Sequence, residues 1–328
     1  VPYALPSILI AGTGKGGTTD LYGQLIDNFP TRITRGMSKE LGTLNSGSWS
    51  DPYTKSEAFS TYLEKLMHPC MNTTESFKEC SQTLTERETK YTIDASPLYL
   101  ERPNVPFNLK RISPQTKVII LLREPVSRAQ SLFNHWYGRS RLIKSAPITE
   151  AAKDFLNLVS TPAVSTTLQQ LLDSQDHLET QSLYYHLVDD LGILHNMRYR
   201  VFGGSFYAYS LANWSSIYFQ PNRVLIIDSH TYFKDRTYVL NKVSQFLFNE
   251  PLTTEQIETS EKAKVRNAKH VYKTDAVLDD EQQKQMLQDF YRPHLIKLGE
   301  TLKKLKESGC WMVGFDSDND TYWPFTLQ

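Results

Sequence analysis

Three short, uninterrupted apolar runs, each followed by a helical stretch, constrain the fold of this chain more than anything else in it. Ser7–Ala11 (Ser-Ile-Leu-Ile-Ala), Lys117–Leu122 (Lys-Val-Ile-Ile-Leu-Leu) and Arg223–Asp228 (Arg-Val-Leu-Ile-Ile-Asp) read as strands. They lack the in-out alternation of a strand with one wet face, so both faces are expected to be covered. The residues that follow, about Thr18 to Asn28, Val126 to Trp136 and Asp235 to Phe248, read as helices. This alternation predicts an α/β fold with a central parallel sheet flanked by helices. Further helical stretches at Glu150–Leu158, Thr167–Asn196 and Glu281–Ser308 are expected to pack around that sheet. The Ser/Thr-rich segment Leu41–Lys90, with Pro52 and Pro69, reads as an inserted loop-and-helix region. No repeat or linker interrupts the chain, so residues 1–328 are expected to form a single domain.

Composition narrows the partners. The chain has 40% apolar and 22% charged residues, as a globular protein with a proper core does. Its 36 basic and 36 acidic residues cancel, so bulk charge gives no case for nucleic acid, and an anion site has to be local. No run approaches the ~18–20 consecutive apolar residues of a membrane span. Val1-Pro2-Tyr3 leads almost directly into the first strand, so no signal peptide is read, and a membrane anchor would lie outside this sequence. No Cys/His cluster has metal-ligand spacing, and no metal is expected. Sequons at Asn72, Asn213 and Asn319 lean toward the secretory lumen. Cys70 and Cys80 flank the first of these, either as a short disulfide loop or as two thiols, and Cys310 is expected to pack in a core.

The strongest local signal is Gly12-Thr13-Gly14-Lys15-Gly16-Gly17-Thr18-Thr19, between a strand and a helix. Glycines let the backbone close on an anion, N–H groups at the helix start point at it, and Lys15 adds a charge. Gly12 and Gly17 fit the glycines of a nucleotide-triphosphatase loop, but Thr18 stands where that loop needs lysine. A second motif follows the second strand: Arg123-Glu124-Pro125-Val126-Ser127-Arg128-Ala129-Gln130-Ser131. A guanidinium at a strand end and a hydroxyl two turns into the next helix suit one phosphate, and Pro125 suits the first helical turn.

Together the two motifs resemble those of the sulfotransferases that use 3′-phosphoadenosine-5′-phosphosulfate (PAPS). Lys15-Gly16-Gly17-Thr18-Thr19 is similar to the family's 5′-phosphosulfate loop, K-x-G-T-T, and Arg123 and Ser131 to its 3′-phosphate motif, R-x-P-x-x-R-x-x-S. The resemblance implies PAPS as co-substrate, a P-loop-like fold, and a catalytic domain spanning the chain. Looser likenesses at Ser38-Lys39-Glu40-Leu41, Ile93–Pro97, Gly204–Trp214 and Leu287–His294 point to the Golgi carbohydrate branch, and within it to the N-acetylgalactosamine 4-sulfate 6-O-sulfotransferases. Two positions depart from relatives: Ala95 stands where heparan sulfotransferases carry lysine, and Gly42-Thr43-Leu44 replaces an aromatic pair that lines their acceptor cleft.

The resemblance also implies roles. Glu40 would be the general base, although an ion pair with Lys39 is its plain alternative, and Lys15 would stabilise charge on the leaving oxygen. Gly14, Lys15, Gly16, Gly17, Thr18, Thr19, Arg123 and Ser131 would hold PAPS. Arg266, Lys269 and His270, in the basic run Lys262–Lys273, would close over it or else form a solvated charged face. Lys39, Ser96 and His135 would lie near the acceptor. Basic clusters at Arg32/Arg35/Lys39 and Arg139/Arg141/Lys144 fit an anionic polysaccharide such as chondroitin sulfate, handled in the Golgi lumen by the soluble part of a type II membrane protein. A small-molecule or tyrosine acceptor, or a silent glycan-binding relative, is the competing reading.

Overall fold

The computed structural model describes residues 6–36, 38–45, 55–66, 91–137, 147–266, 278 and 280–315. Its strands are β1 (Ile8–Gly12), β2 (Ile33–Arg35), β3 (Tyr91–Asp94), β4 (Lys117–Leu122), β5 (Val224–Asp228) and β6 (Trp311–Val313). The helices are α1 (Thr18–Asn28), α2 (Lys55–Leu66), α3 (Val105–Ile112), α4 (Pro125–Tyr137), α5 (Ile148–Val159), α6 (Pro162–Asp173), α7 (His177–Tyr185), α8 (Met197–Gly203), α9 (Tyr207–Ile217), α10 (Ser229–Lys234), α11 (Arg236–Phe248), α12 (Thr254–Lys262) and α13 (Glu281–Glu307). The chain forms two compact units. One comprises Val1–Leu122, Ile217–Asn267 and Gly309–Gly314, and the other Arg123–Ser216, Ala268–Ser308 and Phe315–Gln328.

The first unit holds the sheet, in the order β2-β3-β1-β4-β5-β6, with every neighbouring pair parallel. Lys117 apart, every residue of β1, β4 and β5 is buried, as continuous apolar runs require. Ile8, Ile10, Ile119, Leu121, Leu225 and Ile227 share a core cluster with Leu21 and Leu25 of α1 and Val239, Leu240 and Val243 of α11. Truncating one such leucine or isoleucine to alanine typically costs about 2–5 kcal/mol. From β1 the chain runs on to β2 and β3, and from β4 to β5 and β6. The order therefore switches between β1 and β4, and ligands of such sheets bind beyond the carboxyl ends of the strands at that switch.

In the second unit α4 is held by a buried cation. Arg128 is fully buried, and its Nη1 donates to the Val201 carbonyl (3.1 Å) and to Ser205 Oγ (3.2 Å). Tyr291 of α13 donates to the Phe202 carbonyl at 2.8 Å. His294, also on α13, is buried with its Nδ1 2.6 Å from the Tyr209 hydroxyl and its ring against Phe206 and Phe290. That apolar surrounding disfavours the imidazolium and pushes its pKa down to about 4.

Several expectations need correcting. β2, β3 and β6, of three or four residues each, carry too little sequence to be read as strands. The expected helix Thr167–Asn196 is broken after Asp173. Asp176 caps a new helix by accepting from the N–H groups of Leu178 and Glu179, and a π-turn at His186–Asp190 follows. The sequon at Asn213 is not a surface site: its side chain is buried on α9 and accepts from Gln181 Nε2 at 3.2 Å. Cys310 is buried, as expected. Cys70, Cys80, Asn72, Asn319, Arg139, Arg141 and Lys144 lie outside the described residues. No helix among the described residues is long and apolar enough to cross a membrane.

The buried imidazole makes a test. A histidine held neutral in the fold contributes stability that is complete above its unfolded pKa of 6.5 and is lost as pH falls toward about 4. The difference corresponds to roughly 3 kcal/mol. Urea unfolding of wild type and His294→Gln at pH 7.5 and pH 4.5 should show wild type losing more on acidification. An equal loss in both proteins would mean that the ring is not buried in its neutral form.

Candidate active site

The chain leaves β1 through Gly12–Gly17 at the carboxyl edge of the sheet, and close packing fixes its path. A Cβ on Gly12 would stand 2.6 Å from Leu100 Cβ, and one on Gly16 2.9 Å from the Leu121 carbonyl oxygen. Gly17 has φ 107° and Lys15 φ 70°, so two residues of the loop are left-handed. Thr13 N–H donates to the Leu121 carbonyl (2.7 Å), Gly16 N–H to the Thr13 carbonyl (2.9 Å), and Ser229 Oγ to the Gly16 carbonyl (2.7 Å). The loop is thereby gripped by β4 and by the start of α10.

Gly17 is the N-cap of α1 and supplies no side-chain cap. Among the described residues no protein acceptor meets the N–H groups of Gly14, Gly17, Thr18 or Thr19, or the hydroxyls of Thr18 and Thr19. These donors, at the positive end of a helix dipole and next in sequence to the partly buried Lys15, are of the chemistry that suits a tetrahedral anion.

In the second unit, Arg123 is partly buried, and its carbonyl accepts from the Tyr207 hydroxyl at 2.8 Å. The start of α4 is already capped: the Glu124 carboxylate accepts from the N–H groups of Val126 (2.8 Å) and Ser127 (2.6 Å). An anion at α4 therefore has to be met by side chains, Arg123 and Ser131, rather than by the helix end. Ser131 is buried, and among the described residues its hydroxyl has no protein partner. His135 is partly buried one turn further along α4.

The structure brings Lys39, Glu40 and Ser96 together in the first unit. Lys39 Nζ pairs with Glu40 Oε1 at 2.6 Å and donates to the Ala95 carbonyl at 3.3 Å, while Ala95 N–H donates to the Lys39 carbonyl at 3.0 Å. The Glu40 side chain is about half exposed, at 52%. Ser96 faces inward. Its Oγ donates to Asp94 Oδ1 (2.6 Å) and accepts from Gly42 N–H (3.0 Å). Asp94 is fully buried and also accepts from the hydroxyls of Tyr99 (3.0 Å) and Tyr62 (3.2 Å) and from Leu41 N–H. Burial outweighs these bonds and lifts the carboxyl to about pKa 6. The same network anchors segment 39–44, for Tyr99 OH also accepts from Leu44 N–H at 3.2 Å.

Arg266 lies across α1. Its N–H donates to Asp20 Oδ1 at 2.7 Å, its guanidinium pairs with Asp27, and it occupies the space over Gly23 where a Cβ would collide. Its charge is thus met by α1 itself. Lys269 and His270 lie outside the described residues. Of the expected basic cluster, Arg32 pairs with Glu250 (2.8 Å) and Arg35 with Asp27 (3.7 Å).

The family model described as Sulfotransferase domain matches residues 5–293. The chain belongs to the sulfotransferase family. The crystal structure of a sulfotransferase from Alicyclobacillus acidocaldarius is similar over 91% of this chain and 96% of that one, with a TM-score of 0.50 and 18% identity, which speaks for the fold. The sulfotransferase domain from the curacin biosynthetic pathway aligns over 92% of this chain and 98% of that one, at 13% identity and a TM-score of 0.41. No curated protein sequence matches. This sulfotransferase accordingly transfers sulfuryl groups.

Two residues of the site escaped the sequence reading. Asp94 gains its character from tyrosines 32 residues upstream and 5 downstream, which no local pattern displays. Ser229 did carry a signal, since it directly follows the carboxyl end of a buried parallel strand.

Asp94 supplies the test. A carboxyl with its folded pKa raised from 3.8 to about 6 favours the fold when protonated, so its contribution is lost as pH rises through that window, on the order of 3 kcal/mol. Comparing urea midpoints at pH 4 and pH 7, Asp94→Asn should gain on wild type as pH rises. A gap that is constant with pH would place Asp94 in contact with solvent.

Proposed function

We propose that this sulfotransferase takes its sulfuryl group from PAPS and places it on a hydroxyl of a carbohydrate, as enzymes of the Golgi carbohydrate branch do. The observation that carries the donor half is the set of uncapped donors at Gly14, Gly17, Thr18 and Thr19 beside Lys15, in the order of the family's K-x-G-T-T loop. The residues fit the group: side chains at Gly12, Gly16 or Gly17 would fill the space the loop needs, and the donor set suits a phosphosulfate. Arg123 and Ser131 supply a guanidinium and a buried hydroxyl of the kind that takes a 3′-phosphate.

PAPS supplies an activated sulfuryl group when bound. The protein's own contribution is charge and proton handling. Lys15 holds positive charge at the loop that takes the leaving phosphate. Glu40, on the segment beside Ala95 and Ser96, accepts the proton of the acceptor hydroxyl, with Lys39 released from its pair to meet the acceptor. The carbohydrate reading draws its support from the likeness of residues 38–41, 93–97, 204–214 and 287–294 to that branch. A luminal setting draws on the sequons at Asn72 and Asn319 and on the Cys70/Cys80 spacing, Asn213 being buried.

Calorimetric titration with adenosine 3′,5′-bisphosphate and with ATP and Mg²⁺ tests the donor. The bisphosphate should bind far more tightly, and Arg123→Ala should weaken it about 10- to 100-fold through loss of charge-assisted bonds. Preference for ATP would reject the donor. With labelled PAPS, Glu40→Gln should lower kcat by about 10²–10⁴ and leave bisphosphate affinity unchanged. Lys15→Ala should cost about 10²–10³. Label entering small phenols or tyrosine peptides, and not chondroitin or related polysaccharides, would reject the acceptor.

A further inference from the structure

Ser229 belongs to none of the motifs above, yet its side chain bonds directly to the loop Gly12–Thr19. It follows the last residue of β5 and opens α10, and it is buried. Asp228 fixes its position, its carboxylate accepting from His230 N–H (3.2 Å), Thr231 N–H (2.8 Å) and Thr231 Oγ1 (2.8 Å). From that rigid start the Ser229 hydroxyl donates to the Gly16 carbonyl at 2.7 Å.

Gly16 is gripped on its other side as well. Its N–H donates to the Thr13 carbonyl at 2.9 Å, and its Cα stands so close to β4 that a Cβ would fall 2.9 Å from the Leu121 oxygen. A trans peptide is planar, and its N–H points opposite to its carbonyl. The Gly16 carbonyl is committed to Ser229, so the Gly17 N–H has to point away from it. That N–H is one of the donors with no protein acceptor among the described residues. Without a partner on the carbonyl, a peptide between two glycines could rotate, and glycine tolerates the alternative dihedrals.

We propose that Ser229 is a positioning residue for donor recognition: by holding the Gly16 carbonyl it fixes the Gly16–Gly17 peptide so that the Gly17 N–H is presented to the 5′ anion of the nucleotide. The inference rests on the reading of the loop as the 5′-phosphosulfate site. It predicts a defect confined to one end of the nucleotide, because the 3′-phosphate is met by other groups.

The test compares wild type, Ser229→Ala and Ser244→Ala by calorimetry, with adenosine 3′,5′-bisphosphate and adenosine 3′-monophosphate as ligands. Ser244 is a second buried serine of the first unit, its hydroxyl without a partner among the described residues, and it controls for loss of a buried hydroxyl. Ser229→Ala should weaken the bisphosphate about three- to tenfold, the worth of one hydrogen bond, and leave the 3′-monophosphate unchanged. Ser244→Ala should match wild type with both. Equal weakening of both ligands by Ser229→Ala would make Ser229 a merely structural residue and overturn the proposal, as would unchanged binding of both. Failure of wild type to bind the bisphosphate would instead overturn the reading of the loop on which the proposal stands.

Discussion

Absence of side chains at Gly12, Gly16 and Gly17 lets the chain leaving β1 lie against Leu100, the Leu121 carbonyl and the ring of Phe233, all at distances a Cβ would violate. The shape of the loop and the open end of α1 both follow from that approach. Because the loop is pressed onto β4, Thr13 and Gly16 spend their N–H groups on the protein and fix its shape. Because Gly17 caps α1 with no side chain, the first-turn donors of the helix are left for a ligand. A serine or aspartate, the usual capping residues, would be strained at φ 107° and would press a Cβ against Phe233, so glycine holds position 17 and the helix end stays uncapped.

The two helices that follow β1 and β4 make this trade in opposite directions. α1 keeps its N-terminal donors unoccupied and brings Lys15. At α4 the Glu124 carboxylate fills the helix end, so the proposed 3′-phosphate contacts are side chains, Arg123 and Ser131. Arg128, the other cation of that motif, is fully buried on carbonyl and hydroxyl oxygens and holds α4 in place. A formal charge of zero is therefore compatible with the proposed anion site, since a few residues and one uncapped helix end suffice for it.

The central strands and their helices were legible because full burial on both faces writes itself into the sequence as unbroken Val, Ile and Leu. The Gly-rich loop was legible because its glycines, lysine and threonines are contiguous. Edge strands of three residues leave no such trace, and the break at Asp176 looked like one more polar position in a long helix until its carboxylate was seen to cap the next one. A sequon is legible everywhere, but whether it faces water is a tertiary property, and Asn213 faces the core. Arg266 illustrates the same limit for charge: a basic run is visible in sequence, whereas the Asp20 and Asp27 carboxylates that meet it lie about 240 residues away, on the face of α1 that Gly23 leaves open.

Burial acts on two titrating groups with opposite sign, one in each unit. Asp94, dry and bonded to hydroxyls, favours its neutral, protonated form, and His294, dry and against aromatic rings, favours its neutral, unprotonated form. Acidification across the window between about pH 6 and 4 therefore relieves the first unit and burdens the second by amounts of similar size, roughly 2 kcal/mol each. A single unfolding midpoint for the whole chain would show little of either, because the two contributions nearly cancel. If the units unfold separately, their transitions should move apart as the pH falls, with the sheet-bearing unit gaining and the helical unit losing. The structural cause is the same in both cases: the interior admits whichever protonation state carries no charge, and only the chemistry of the side chain decides which way that cuts.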